Sequence, residues 1–211
     1  MSDLQLQIAL RFGWRIRPGF DTYELQKIAE AGETLVKFIE TEISGYDGGL
    51  WIRKNLGRAV LHKGGLPQTV VSKANNGAGI SLVFLNHHVW LYPRLFSSNY
   101  GKRWLIHELG HVLDNSFRRL SIWFGGGPSD ALFRALGQKP TGLRWMNTDS
   151  VTVCMPGRHS WHIKNEGKPP LYGDNSSADY FAETFTWAIY DPTKVPPAAL
   201  AWFKDWLKLT V

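Results

Sequence analysis

Two histidines and a glutamate near the middle of the chain have the spacing of a metal site. The segment reads HELGH, with His107 and His111 four positions apart and Glu108 between them. Residues four apart on an α-helix project from one face, so both imidazoles can bind the same ion. Glu108 lies about 100° around the helix from His107 and can reach a water activated by that ion without being a ligand. The motif therefore predicts metal-assisted hydrolysis with Glu108 as general base.

The HELGH segment lies within the strongest helical pattern of the sequence. Apolar residues recur at helical spacing from about Asn99 to Asp114, and Ser97 or Ser98 can cap the N-terminus. This context favours a metal site over a chance match, of which a chain of this composition contains roughly 0.01. The alternative is that both histidines are ordinary polar members of an amphipathic helix. Asp114, three residues after His111, could orient a ligand histidine or could be a polar residue at the helix end.

A catalytic metal site of this kind needs a third protein ligand and one position open to water. The later segment SSADYFAETF places Asp179 and Glu183 four positions apart on one helix face, and either carboxylate could complete the site. Asp179 could instead stabilise the helix N-terminus, because the run from Ser176 to Asp179 resembles a capping box. Glu183 lies among aromatic residues, where an unpaired carboxylate is costly. It therefore needs a partner such as a histidine N–H or the metal.

Together these segments resemble the anthrax lethal factor-like zinc metallopeptidases, a family that includes the clostridial Pro-Pro endopeptidases. In that family H-E-x-G-H is followed by Tyr, six residues, and then E-Y/F-F-A-E-x-F. This chain has HELGH at 107–111, Tyr172 seven residues before Asp179, and DYFAETF from Asp179 to Phe185. The resemblance covers roughly residues 80–190.

The resemblance implies a Zn²⁺ ion held by His107, His111 and the residue aligned with the family's first Glu, which here is Asp179. It also implies that Tyr172 donates a hydrogen bond to the oxyanion and that Glu183 is an acid behind the ligands. Asp at the ligand position is one methylene shorter than Glu. Because Zn–O distances are held near about 2.0–2.2 Å, the helix must sit closer or Glu183 must take over coordination.

The spacing of apolar residues predicts the elements around this site. Helices are expected from Asp21 to about Ile43, from Ser129 to Leu136, from Ser177 to about Tyr190 and from Pro197 to about Leu209. Between Gly48 and Pro93, short β-rich runs such as LWIR and RAVLH are separated by Gly, Asn and Pro, which predicts a small, mostly antiparallel sheet. This order predicts an α+β fold, and the resemblance narrows it to a zincin-like metallopeptidase domain.

The length of 211 residues suits a single domain. Its expected parts are a helical segment at 1–48, the sheet and HExxH helix at 49–115, a long irregular insertion at 116–175, and the third-ligand and C-terminal helices at 176–211. Hydrophobic residues make up 44% and charged residues 20% of the chain, which excludes disordered, collagen-like and coiled-coil proteins.

Charge and hydropathy bear on partners and location. The chain carries 24 Lys and Arg against 18 Asp and Glu, a net charge of +6, but the basic residues are scattered. We therefore expect neither nucleic acid nor a membrane as a partner. The first residues are too polar for a secretory signal, and no stretch reaches the ~20 apolar residues of a membrane span. A cytoplasmic location is the default expectation, with export by a non-standard route left open.

These observations predict a zinc-dependent endopeptidase that acts as a monomer on a peptide or protein substrate. By resemblance, the strand nearest the metal, at 80–85 or 88–92, would pair its edge with an extended substrate. Two alternatives remain open. One is a zinc-stabilised binding or toxin-like module without turnover, and the other is a scaffold in which HELGH is merely helical.

Overall fold

The computed structural model describes most of the chain as helices and short strands. The described residues are 2–64, 79–82, 87–97, 101–117, 127–137, 140–148, 151–161 and 177–211. The helices among them are α1 (Asp3–Phe12), α2 (Thr22–Glu42), α3 (Gly48–Leu56), α4 (Pro93–Ser97), α5 (Gly101–Ser116), α6 (Pro128–Ala135), α7 (Ser177–Tyr190) and α8 (Pro197–Lys208). The strands are β1 (Arg15–Ile16), β2 (Val60–Lys63), β3 (Gly79–Leu82), β4 (His88–Leu91), β5 (Pro140–Thr148) and β6 (Val151–Trp161). These elements fit the expected α+β class.

The main sheet is built around three parallel strands. Its order is β1-β2-β4-β3, in which β1, β2 and β4 run parallel and β3 runs antiparallel to β4. The expectation of a mostly antiparallel sheet is therefore wrong. Two helices, α2 and α3, connect β1 to β2, and the segment containing β3 connects β2 to β4. Such crossovers return the chain in the same direction, and strand-like composition alone does not reveal that direction.

The LWIR run at 50–53, expected to be a strand, is part of helix α3. The side chain of Asp47 caps this helix by accepting a hydrogen bond from the backbone N–H of Leu50 at 2.9 Å. Trp51 and Leu56 are fully buried on its inner side. The N-cap and the burial of one helical face outweigh the β propensity of the short apolar run.

The insertion at 116–175 is not irregular throughout. Besides α6, it contains an antiparallel hairpin in which β5 pairs with β6 from Pro140 opposite Trp161 to Thr148 opposite Val151. The pairing has register shifts near residues 140–145. These irregularities, and the proline and glycine residues inside both strands, hide the alternating pattern by which strands are recognised in a sequence.

The other expected helices are confirmed. Helix α2 follows Asp21, whose carboxylate accepts from the N–H of Glu24 while the Glu24 carboxylate accepts from the N–H of Asp21, each at 2.9 Å. This reciprocal pair is a capping box. The observed bounds of α5, α6, α7 and α8 lie within two residues of the expected ones. The sequence patterns did not predict α1 or β1.

One hydrophobic core joins the sheet to the helices. Leu61 on β2 and Val89 on β4 are fully buried in a cluster that includes side chains from α1, α2, α3, α5, α6, α7 and α8. Helix α5 contacts β3 and β4 on the core side of the sheet. None of the described helices is both long and apolar enough to cross a membrane.

Helices α5 and α7 approach most closely at Gly110. A Cβ atom added to Gly110 would lie 2.9 Å from Cα and 3.1 Å from Cβ of Ala182, and 3.2 Å from Cδ1 of Phe185. Distances this short leave no room for a side chain. The absence of a Cβ therefore allows the two helices to pack backbone against backbone, beside the histidines of α5 and the carboxylates of α7.

We expect Gly110→Ala to destabilise the fold. Alanine favours a helix over glycine by about 1 kcal/mol, but the added methyl must push α5 away from α7, and such overpacking costs about 1–3 kcal/mol. Urea denaturation measures the balance, with Gln26→Ala on the exposed side of α2 as control, expected within about 0.5 kcal/mol of the parent. A more stable Gly110→Ala variant, as helix propensity alone predicts, would contradict close packing at this position.

Candidate metal centre

Two helices bring three ligand-type side chains together. His107 and His111 lie one turn apart on α5, and Asp179 lies in the first turn of α7. One ligand atom from each residue can be chosen so that all three lie within 4.8 Å of one another. The Nε2 atoms of the two histidines are 3.2 Å apart, and Oδ1 of Asp179 is 3.3 Å from Nε2 of His111. This group could hold a metal ion.

The separations and the donor set both fit a tetrahedral ion such as zinc. Ligand atoms about 2.0–2.1 Å from a tetrahedral ion lie about 3.3 Å from one another. The distances from His111 Nε2 to His107 Nε2, 3.2 Å, and to Asp179 Oδ1, 3.3 Å, are close to this value. Two imidazoles and one carboxylate are also a donor set that catalytic zinc sites use.

The three side chains differ in their access to water. The side chain of His107 is 8% exposed, that of His111 is 13% exposed and that of Asp179 is 32% exposed. The group thus has a buried end at His107 and an end open to the surface at Asp179. A catalytic site requires such an opening, because water and substrate must reach the metal.

Glu183 contacts His107 at Nδ1, the ring nitrogen that faces away from His111. Its Oε1 is 2.9 Å from Nδ1 of His107, and both side chains are buried. At this separation the two groups form an ion pair whenever His107 is protonated. A carboxylate in this position holds a proton on Nδ1 and leaves Nε2 to face the other two ligands.

Electrostatics favour a cation at His107. Burial lowers the pKa of its imidazole, but Glu183, Glu108 and Asp179 together outweigh burial, so that the pKa is raised. Three carboxylates around one ring stabilise positive charge, which either a proton or a metal ion can supply. Glu108 itself is buried next to the histidine pair, which is where a base for the site would have to lie.

A buried polar network ties three helices together behind the site. The carboxylate of Asp114 accepts from the backbone N–H of Ser129 at 2.9 Å and from its hydroxyl at 3.1 Å. The hydroxyl of Ser177 donates to Oδ1 of Asp130 at 3.2 Å. All four residues are buried. The C-terminal part of α5 is thereby fixed to α6, and α6 to the first residue of α7, two residues before Asp179.

The structure thus brings together four of the residues expected at the site, with Asp179 beside both histidines and Glu183 in contact with His107. Asp114 binds Ser129, and its expected role in orienting a ligand histidine stays a prediction. Tyr172 lies outside the described residues, as does Ser176 of the expected capping box.

The sequence analysis did not predict the roles of Ser129 and Asp130, although the Pro-Ser-Asp run from 128 to 130 is typical of a helix N-terminus.

Comparisons of the chain with protein-family models, with curated proteins and with solved structures found no match. The assignment to the lethal factor-like family therefore stays a prediction that depends on the residues of the HELGH and DYFAETF segments.

We expect Asp179→Asn to weaken zinc binding more than Glu183→Gln. Loss of a carboxylate behind a ligand typically costs about 10–100-fold in metal affinity, whereas loss of a charged ligand should exceed about 100-fold. Competition with a chromophoric chelator measures both affinities, and Asp205→Asn on the exposed side of α8 controls for the loss of one negative charge. The opposite ranking would assign the ligand role to Glu183.

Ser177→Ala should lower the free energy of unfolding. The change removes a donor from the buried carboxylate of Asp130, and a buried acceptor that loses a partner costs about 1–3 kcal/mol. Chemical denaturation measures this loss. Thr41→Ala is the matched control, because the Thr41 hydroxyl makes its hydrogen bond on an exposed helix surface. Equal effects of the two changes would mean that the network does not hold α7 in place.

Proposed function

We propose that this chain is a zinc-dependent endopeptidase with a zincin-like fold, related to the anthrax lethal factor-like metallopeptidases. The observation that carries the proposal is the convergence of His107, His111 and Asp179 from two helices, with buried Glu108 and Glu183 beside them. Two helices with unrelated polar residues would have no reason to bring three ligand-type side chains within 4.8 Å of one another, with a buried carboxylate against the inner histidine.

His107, His111 and Asp179 would hold the ion. When bound, zinc supplies Lewis-acid polarisation of a peptide carbonyl and lowers the pKa of a water to about 7. The Glu183 carboxylate lies against Nδ1 of the His107 ring, which would leave Nε2 to hold the ion. The exposed side of Asp179 leaves a route for the substrate.

Glu108 is the proposed general base. It neighbours His107 on α5 and is buried. A carboxylate in such surroundings can take a proton from the attacking water and return it to the leaving amine. By family resemblance, Tyr172 is proposed to donate its O–H to the oxyanion that develops on the scissile carbonyl.

The position of β3 supports a peptide substrate. Of the two strands expected to bind substrate, β4 is enclosed between β2 and β3, whereas β3 is an outer strand of the sheet within the described ranges and contacts α5. An outer strand offers backbone N–H and C=O groups to an extended peptide. We therefore assign the substrate edge to β3.

Glu108→Gln should abolish cleavage while preserving zinc. Loss of a general base typically costs about 10²–10⁴-fold in rate, and Glu108 is not a proposed ligand. Digestion of a peptide library, with zinc content measured by atomic emission, tests both expectations. Glu33→Gln is the control, because this half-buried glutamate of α2 pairs with Arg11 and takes no part in the proposed site; a chelator should stop the parent enzyme.

Two results would contradict the proposed enzyme in different ways. Unchanged cleavage by Glu108→Gln would reject Glu108 as the base. One equivalent of zinc without any cleavage by the parent protein would instead identify a zinc-stabilised binding module.

A further inference from the structure

The face of the main sheet opposite the hydrophobic core carries polar side chains on either side of a buried valine, Val60. Arg15 on β1 pairs with Val60 on β2, and Val60 pairs in turn with His88 on β4. Because paired residues on neighbouring strands project to the same side of a sheet, these side chains form one row. Leu61 and Val89, at the next positions along β2 and β4, point into the core.

A second row lies two residues further along the strands. The backbone N–H of Arg17 donates to the carbonyl of Leu61 at 2.9 Å, which places Arg17 beside His62, and His62 pairs with Trp90. The His62 ring stacks on Trp90 with centroids 4.7 Å apart and an angle of 11° between the planes. Its Nε2 lies 2.9 Å from Nδ1 of His88. The two imidazoles are therefore held in fixed positions.

Arg15, Arg17, His62 and His88 form a patch that we call the Arg–His patch. Both arginines are exposed, and neither makes a side-chain hydrogen bond or ion pair within the described part of the chain. Burial, His88 and Arg17 lower the pKa of His62, and burial, Arg15 and Arg17 lower the pKa of His88. The neighbours that act on these imidazoles are thus cationic, and an anion would relieve their repulsion.

The amino-acid composition around the Arg–His patch is also basic. From Gly48 to His107, a segment that contains β2, β3 and β4, there is no Asp or Glu, whereas there are eight Lys and Arg. Two of these cations, Lys63 and Lys102, pair with Glu24 and Glu30 of α2, and no acidic residue of the segment itself offsets the other six. A surface of one sign attracts ligands of the opposite sign.

We propose that the Arg–His patch binds a phosphate group, either as free phosphate or as a phosphate monoester. Arg15 begins β1 and Arg17 directly follows its last residue, still paired with β2 through Leu61; in extended backbone their Cα atoms are about 6.6 Å apart, so their long side chains can converge on one tetrahedral dianion. A guanidinium fork matches phosphate oxygens, and the imidazole N–H groups can donate to the remaining ones.

Two observations narrow the ligand class. Trp90 is only 7% exposed beneath the histidines, so the patch offers no aromatic platform for the bases of single-stranded nucleic acid. A single planar carboxylate has only two oxygens and can pair with one guanidinium fork. A phosphate has enough oxygens to accept hydrogen bonds from both arginines. The site is also independent of the metal centre, because α5 packs on the opposite, core side of the sheet.

Titration with inorganic phosphate, followed by NMR of the histidine Cε1–H signals, tests the proposal directly. Spectra of His62→Gln and His88→Gln assign the two signals. We expect both to shift saturably in the parent protein, at ionic strength held constant with sodium chloride. Glycerol phosphate forms a second arm that separates a monoester ligand from free phosphate, and acetate is the carboxylate arm, expected to give no saturable shift.

Arg15→Gln/Arg17→Gln should bind phosphate at least about tenfold more weakly. Lys54→Gln, an exposed change on α3 in the same acid-free segment, should bind like the parent, and thermal unfolding should show that all variants are folded. The proposal is overturned if phosphate leaves the His62 and His88 signals unchanged, if the double variant binds like the parent, or if acetate shifts the signals as strongly as phosphate.

Discussion

The close contact of α5 with α7 at Gly110 and Ala182 is the constraint on which the rest of the candidate site depends. Oδ1 of Asp179 lies 3.3 Å from Nε2 of His111, and the short aspartate side chain reaches this position only because α7 lies close to α5. Gly110 permits that approach, because any side chain there would collide with the backbone of Ala182.

Electrostatics then define the site that this packing creates. Three carboxylates close to one buried imidazole would repel one another unless a cation lies among them. The Asp114–Ser129 and Asp130–Ser177 hydrogen bonds hold the three helices together behind the site. The Arg–His patch on the outer face of the sheet concentrates charge of the opposite sign. The sheet therefore separates an acidic centre on its core side from a basic surface on the other.

The parts that could be predicted from the sequence are those set by local spacing. His107 and His111, and Asp179 and Glu183, are each one helical turn apart, so the helical pattern alone indicates which residues share a face. Strand direction could not be predicted, because it depends on the path of α2 and α3 between β1 and β2. The Arg–His patch depends on register between strands about 45 residues apart in sequence, from Arg15 to His62. Ser129 and Asp130 acquire their partners only when three helices pack.

X-ray absorption at the zinc edge, on protein loaded with one equivalent of zinc, tests the central claim most directly. The proposed site predicts a first shell of nitrogen and oxygen atoms at about 2.0–2.1 Å, with the outer-shell scattering of two imidazoles. A spectrum showing fewer than two imidazoles, or protein that retains no zinc, would contradict the proposed His107, His111 and Asp179 centre.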